Sequence, residues 1–239
     1  MLKSIKSLSF LFAFFVVSVA QANIIVDTSL WTLEDSPARG GAQGLTSSGS
    51  NQAVQNNNAN GSIISNFSLT GDFTFDGILT PTTSFFDDDD ILGVVFGWQD
   101  ADNHYRLGWE QGGLNDRGIG ADGRLVVSSG MFLVREVAGV STILFQQEIF
   151  WQDDVDYNFS VGRNGDDISF SLGGINRSFT DTSFTSGRVG FYTESQTARF
   201  SGLASRPVAP TAVPEPSAVA LLGLALLFLV WRRRTTNSL

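Results

Sequence analysis

Six aspartates and one asparagine fall in two short clusters, Asp87-Asp88-Asp89-Asp90 and, ten residues on, Asp100, Asp102 and Asn103. Adjacent carboxylates repel one another unless water or a cation screens them. Calcium takes about six to eight oxygen ligands, and the two clusters carry enough oxygens to hold one ion. The spacing lacks the glycine and terminal glutamate of a helix–loop–helix calcium loop. A solvated acidic loop is the competing reading, and the bare charge favours it. Trp98, Tyr105 and Trp109 form a second set. An aromatic face stacks on a sugar ring while polar neighbours fix its hydroxyls. Here the three rings occupy apolar positions of alternating strands, which favours core packing over ligand stacking unless they share a concave outer face.

Glycoside hydrolysis needs two carboxyl groups close together. Glu110 is a lone strand acid, while Glu136 and Glu148 lie on the two arms of one predicted hairpin, where they could face each other. His104 is the only histidine, so no multi-histidine metal site is possible. No Gly-x-Ser-x-Gly elbow accompanies it to make a nucleophile. With no cysteine in 239 residues, thiolate metal sites and cysteine redox chemistry are excluded.

The elements that must position these residues are strands. Phe67 to Asp76 alternates apolar and polar residues, as a half-buried strand does. Ile91 to Gln99 is a continuous apolar run, as expected of a strand covered on both faces. Tyr105, Leu107 and Trp109 alternate with Arg106, Gly108 and Glu110. Met131–Val137 and Ser141–Ile149 flank Ala138-Gly139-Val140 as a hairpin. Val155–Arg163 and Asp167–Leu172 flank Asn164-Gly165, a two-residue turn signal. Arg188–Thr193 and Thr197–Leu203 close the series. The Asn/Gly/Ser-rich stretch from Gly40 to Gly61 reads as a long polar loop. Many short strands, glycine-rich turns and no long amphipathic helix predict an all-β domain, an antiparallel β-sandwich, over residues 23–205.

Between residues 23 and 212 ten arginines meet twenty-three acidic residues, a net −13 within a chain of net −9. Phosphate neutralisation needs a basic surface, so nucleic acid is excluded as a partner. Divalent cations and neutral or cationic ligands suit that charge, as does simple solubility outside the cell.

The two ends read as targeting segments. Lys3 and Lys6 precede an apolar run from Leu8 to Ala20, and Ala20-Gln21-Ala22 supplies a small-x-small cleavage site. Residues 1–22 are therefore expected to be a signal peptide removed by signal peptidase, leaving Asn23 first. At the other end, a Pro/Ala linker over 206–212 leads to Val213-Pro214-Glu215-Pro216-Ser217, an apolar run from Ala218 to Trp231, and Arg232-Arg233-Arg234. As a helix, 218–231 rises only about 21 Å at ~1.5 Å per residue, against a bilayer core of about 30 Å. It is expected to be a short transmembrane helix, with the arginines cytoplasmic and the domain outside.

This order of Pro-Glu-Pro, short apolar helix and arginine cluster resembles the PEP-CTERM sorting domain. The resemblance implies export in a Gram-negative bacterium that makes extracellular polysaccharide, an inner-membrane-tethered precursor, and processing by an exosortase near Pro214-Glu215-Pro216. The central strands resemble the concanavalin A-like lectin/glucanase jelly roll, with the thrombospondin C-terminal domain as the nearest branch. The residues that carry this are Phe73-Thr-Phe-Asp76, Asp87–Asp90, Gly93 to Asp100, Asn103 to Trp109, Tyr157 to Val161, Ile168 to Leu172 and Gly187 to Tyr192. It implies a lectin-like, non-enzymatic domain that meets polysaccharide, with calcium at the acidic residues. The glucanase branch's Glu-x-Asp-x-x-Glu signature is absent. A divergent glycoside hydrolase or lyase is the alternative function.

Overall fold

The protein is described from a computed structural model, which covers residues 24–34, 44–83, 90–111, 118–119, 125–126 and 130–207. The signal segment with Ala20 and Ala22, the tail from Val213 to Arg234, and Asp87 to Asp89 lie outside the described residues. Residues 21–208 form one compact unit.

The strands in chain order are β1 (Ile24–Ile25), β2 (Thr32–Glu34), β3 (Leu45–Ser47), β4 (Gln52–Gln55), β5 (Gly61–Thr70), β6 (Phe73–Pro81), β7 (Ile91–Asp100), β8 (Asn103–Glu110), β9 (Gly118–Ile119), β10 (Leu125–Val126), β11 (Gly130–Val137), β12 (Val140–Gln147), β13 (Tyr157–Asn164), β14 (Asp167–Leu172), β15 (Ile175–Thr180), β16 (Ser186–Glu194) and β17 (Ala198–Pro207). They build two antiparallel sheets plus the small β9–β10 pair. One sheet runs β15-β14-β13-β6-β17-β4-β3, with β1 added on β17. The other, seven-stranded, runs β12-β11-β8-β7-β16-β5-β2. Hairpins such as β7–β8, β11–β12 and β13–β14 stay within one sheet while β5 to β6, β12 to β13 and β16 to β17 cross between the two, which is the β-sandwich the alternation of residues predicts.

Each inner face contributes every second residue of its strands. Phe75 and Phe159 from one sheet meet Leu92, Leu107 and Phe191 from the other in a single core. Phe191 ties the layers together. Its ring stacks on Phe200 at 4.4 Å and on Trp31 at 5.6 Å. Among the described residues the core runs from Val26 to Phe200, inside the compact unit 21–208.

The structure revises five boundaries. The predicted strand Phe67 to Asp76 breaks at Gly71-Asp72, so that Phe67 to Thr70 ends β5 in the seven-stranded sheet and Phe73 to Asp76 opens β6 in the other. The Gly40–Gly61 stretch contains β3 and β4, because Leu45, Ala53 and Gln55 point inward at period two despite the polar composition. The β13–β14 turn is at Gly165-Asp166, since Asn164 pairs with Asp167. β15 follows a Gly173-Gly174 turn and was hidden by its polar sequence, Ile-Asn-Arg-Ser-Phe-Thr. β17 takes in Arg206 and Pro207, assigned above to the linker, through pairing with Thr74 and Phe73.

Candidate functional site

The face of the seven-stranded sheet that points away from the core holds a second cluster: Ile64, Ile91, Val95, Trp98, Phe132, Val134 and Tyr192. Its origin lies in the period of two. On β8, Tyr105, Leu107 and Trp109 turn to the core, which sends His104, Arg106, Gly108 and Glu110 to the far face. Cross-strand register then sets five charged or titratable groups among the rings. Glu110 stands beside Ile91, and Ile91 beside Glu194; Arg106 lies between Val134 and Val95; His104 is opposite Glu136. His104, Arg106, Glu110 and Glu136 are all buried.

The floor of this site is glycine. Gly108 and Gly93 are paired neighbours, with Phe132 on one side and Tyr192 on the other. A Cβ on Gly108 would come within 2.1 Å of the Tyr192 hydroxyl and 2.2 Å of Phe132 Cζ. The two aromatic rings therefore reach over a surface that only hydrogen atoms leave free. Arg106 lies 5.8 Å above the Tyr192 ring, within cation–π range, and 3.7 Å from Glu194. Trp98 packs on His104 with ring centres 5.0 Å apart. Burial pushes the Tyr192 phenol well above its ordinary value; Arg106 opposes that rise, and Glu194 and Glu110 add to it. Tyr192 is thus a neutral O–H.

Four donor atoms on this face, Trp98 Nε1, Tyr192 O–H and both Nε and Nη1 of Arg106, have no hydrogen-bond partner among the described residues. Buried donors are nearly always paired, so a group of them calls for an explanation. Trp31 and Trp151 also carry unpaired indole N–H groups, but these belong to the inter-sheet core. Trp98, Phe132, Tyr192, Arg106 and Glu110 are all buried, and the Phe132 and Tyr192 rings fill the space over Gly108, so the cluster is a packed polar and aromatic layer with no open face for a sugar ring to stack on.

The residues predicted to act together do not all meet. Trp98, Tyr105 and Trp109 are buried and divided between faces, so they form no shared stacking platform. Tyr105 and Trp109 keep the parity of Leu107 and enter the core. Trp109 donates to the Ile149 carbonyl at 2.6 Å and packs edge-on to Tyr157. The register shift after Phe96 puts Trp98 on the far face. The calcium set is likewise split. Asp90 precedes β7 and Asp100 ends it, so about 30 Å of extended chain separates them. Asp100 instead shapes the β7–β8 turn, accepting from the Asp102 N–H at 2.8 Å and the Asn103 amide at 2.9 Å. Among the described residues no group of three or more His, Asp or Glu is placed to hold a metal ion. Glu136 pairs with Ser141, while Glu148 follows the far end of β12, so these two acids do not face each other.

Sequence reading missed Arg106, Phe132, Tyr192 and Glu194 as a group. A signal was present: Gly93, Gly108 and Gly190 all fall on the far-face parity of adjacent strands.

At one end of the core a second polar cluster forms. Asp181 accepts from Tyr105 O–H at 2.6 Å, Arg135 Nη1 at 2.8 Å and the Ser183 N–H at 2.9 Å. Arg163 donates to the Asp181 carbonyl at 2.7 Å. Burial alone would raise the Asp181 carboxyl, but the bonds from Tyr105, Ser183 and Arg135 outweigh it and hold the group below its ordinary range. Tyr105 is pushed up to about 12, by burial first and then by the bond to Asp181.

Residues 212–234 match the PEP-CTERM protein-sorting motif. No curated protein matches the chain in sequence. In fold, the chain is similar to the carbohydrate-binding module CBM66 from Bacillus subtilis, at 15% identity and TM-score 0.53, covering 74% of this chain and 96% of that one. It is also similar to a Bacillus subtilis protein with a galectin-like fold, at 10% identity and TM-score 0.53, covering 79% and 97%. The exoplasmic/lumenal domain of VIP36, in a form bound to Ca2+ and Man3GlcNAc, matches at 10% identity and TM-score 0.54, covering 80% and 90%. At such identities the likeness is one of fold: a lectin-like jelly roll joined to a C-terminal sorting motif.

Proposed function

We propose that this chain is an exported polysaccharide-binding protein, delivered by its PEP-CTERM motif, with its lectin-like β-sandwich as the binding domain. Signal peptidase cuts after Ala22, and an exosortase acts near Pro214-Glu215-Pro216 on a precursor held in the inner membrane by 218–231. The released or transferred domain then works at the surface of a Gram-negative cell. The observation that supports the binding role is the fold: the β-sandwich is matched over 96% of the carbohydrate-binding module CBM66 and over 90% of the Man3GlcNAc-bound VIP36 domain. The net −13 of residues 23–212 selects neutral or cationic glycans over acidic ones.

A glycan array probed with residues 21–208, in calcium and in chelator, tests this. The expected result is binding to neutral glycans that persists in chelator, because among the described residues no group of acids is placed to hold a metal ion. Absence of binding to every glycan counts against it. Binding that disappears in chelator returns the role to the acidic residues.

A second reading, hydrolysis, has one observation behind it. Glu110 and Glu194 sit on one face with a single strand between them, roughly 10 Å apart by strand spacing and near the separation of an acid–base pair. Release of reducing ends that Glu110→Gln abolishes would establish it; intact polysaccharide after prolonged incubation would remove it.

A further inference from the structure

We propose that β12 is a self-association edge, pairing antiparallel with β12 of a second copy to join two seven-stranded sheets into one. β12 ends its sheet, with β11 as its ladder partner among the described residues. Its eight residues, Val-Ser-Thr-Ile-Leu-Phe-Gln-Gln, include no charge and no proline. Natural sheets guard long edges with charges, prolines or short strands, because an open ladder recruits another strand. The other edges are guarded in this way. β2 and β3 have three residues each, and β2 ends in Glu34. β15 carries Arg177.

Exposed apolar side chains mark the same edge. Val137, Val140, Ile143 and Phe150 are 41%, 68%, 37% and 48% exposed, and they run along β12 from its turn to just beyond its end. A second copy is the occupant this strip suits. The domain's net −13 repels another copy over most of its surface, and two-fold pairing of β12 places an uncharged residue opposite an uncharged residue in every register. A partner of different chemistry has no charge here to recognise.

The size of the contact sets its strength. Eight residues extend about 27 Å at ~3.4 Å each, and a sandwich edge about 15–20 Å wide gives roughly 400–540 Å² per copy. About 1,000 Å² in total is the low end for a specific interface. The bulge at Leu144, between the Phe145–Leu133 and Ile143–Val134 pairs, shortens the straight run further. A reversible dimer with a micromolar Kd follows. Its two-fold axis stands normal to the sheet, so both far faces look the same way. The dimer does not rest on the glycan-binding reading.

Sedimentation equilibrium of residues 21–208 from about 1 to 200 µM tests this, with Thr142→Lys and Ile143→Lys measured beside Ser178→Lys on β15. The expected result is a monomer–dimer equilibrium with Kd of roughly 1–100 µM. Each β12 variant weakens it more than tenfold with Tm within about 2 °C of the parent, and Ser178→Lys leaves it unchanged. A parent that stays monomeric to 200 µM overturns the proposal. So does a dimer that both β12 variants leave intact, or one that Ser178→Lys breaks.

Discussion

Replacing Asp181 by alanine is expected to lower unfolding stability by about 3 kcal/mol, seen as a Tm drop of roughly 6–12 °C. The magnitude comes from what is left behind. The Tyr105 hydroxyl is fully buried, and a buried donor without an acceptor costs about 1–3 kcal/mol. The Arg135 side chain also loses its partner, but it is 31% exposed, so water screens it and its share is discounted to about 1 kcal/mol. Asp156→Ala is the control, because the Asp156–Arg199 pair is 59% and 42% exposed and a surface pair contributes about 0–1 kcal/mol. Similar Tm losses for the two variants would mean that the Asp181 cluster contributes no more than a surface pair.

The same cluster sets two pH limits. The Asp181 carboxyl is held below its ordinary range in the fold, so its stabilisation is present above about pH 4 and is lost as pH falls through the folded value. The Tyr105 phenol is raised to about 12. Its contribution is complete below about pH 10 and is lost as pH rises from there through 12. A Tyr105→Phe variant should make the alkaline loss shallower, leaving the part contributed by the buried Tyr192 phenol.

Gly187→Ala is expected to cost more, about 4 kcal/mol or outright failure to fold. Gly187 has φ +151, and a Cβ there would meet the Gly97 carbonyl carbon at 2.3 Å and the Trp98 nitrogen at 2.7 Å. Both are backbone atoms of β7, so no side-chain rotation relieves the clash. The site matters because β16 and β7 both shift register here, and that shift is what turns Trp98 to the far face. Gly174→Ala separates conformation from contact. Its φ is +83 and nothing lies within 4 Å of its Cβ position, so only backbone strain of about 1–2 kcal/mol is expected. Equal losses at both positions, measured by denaturant unfolding, would show that the close approach to β7 is unimportant.

The sandwich was legible because its strands are written in alternation. Tyr105, Leu107 and Trp109 against Arg106, Gly108 and Glu110 give both the strand and its two faces. Composition misled at Gly40–Gly61 and at β15, where polar residues hide inward positions that only the opposite sheet reveals. The far-face site was harder to see for a different reason. β7 is apolar at both parities, so Val95 and Trp98 look like core from sequence, and nothing local says that they face away from Leu92 and Phe96. Arg106, Tyr192 and Glu194 converge only through strand order, since β8, β7 and β16 become neighbours across some 80 residues of chain. The Asp181 cluster depends likewise on Arg135, Arg163 and Tyr105 arriving from three strands. The sorting motif over 212–234 was legible, because its information is linear and needs no partner.

The central claim is that the exported β-sandwich binds polysaccharide. Surface plasmon resonance on immobilised neutral bacterial polysaccharides tests it most directly, with residues 21–208 measured native and after heat unfolding. The expected result is saturable binding of the native domain that the unfolded chain does not show. No binding by the native domain, or equal retention of the unfolded chain, would contradict the account.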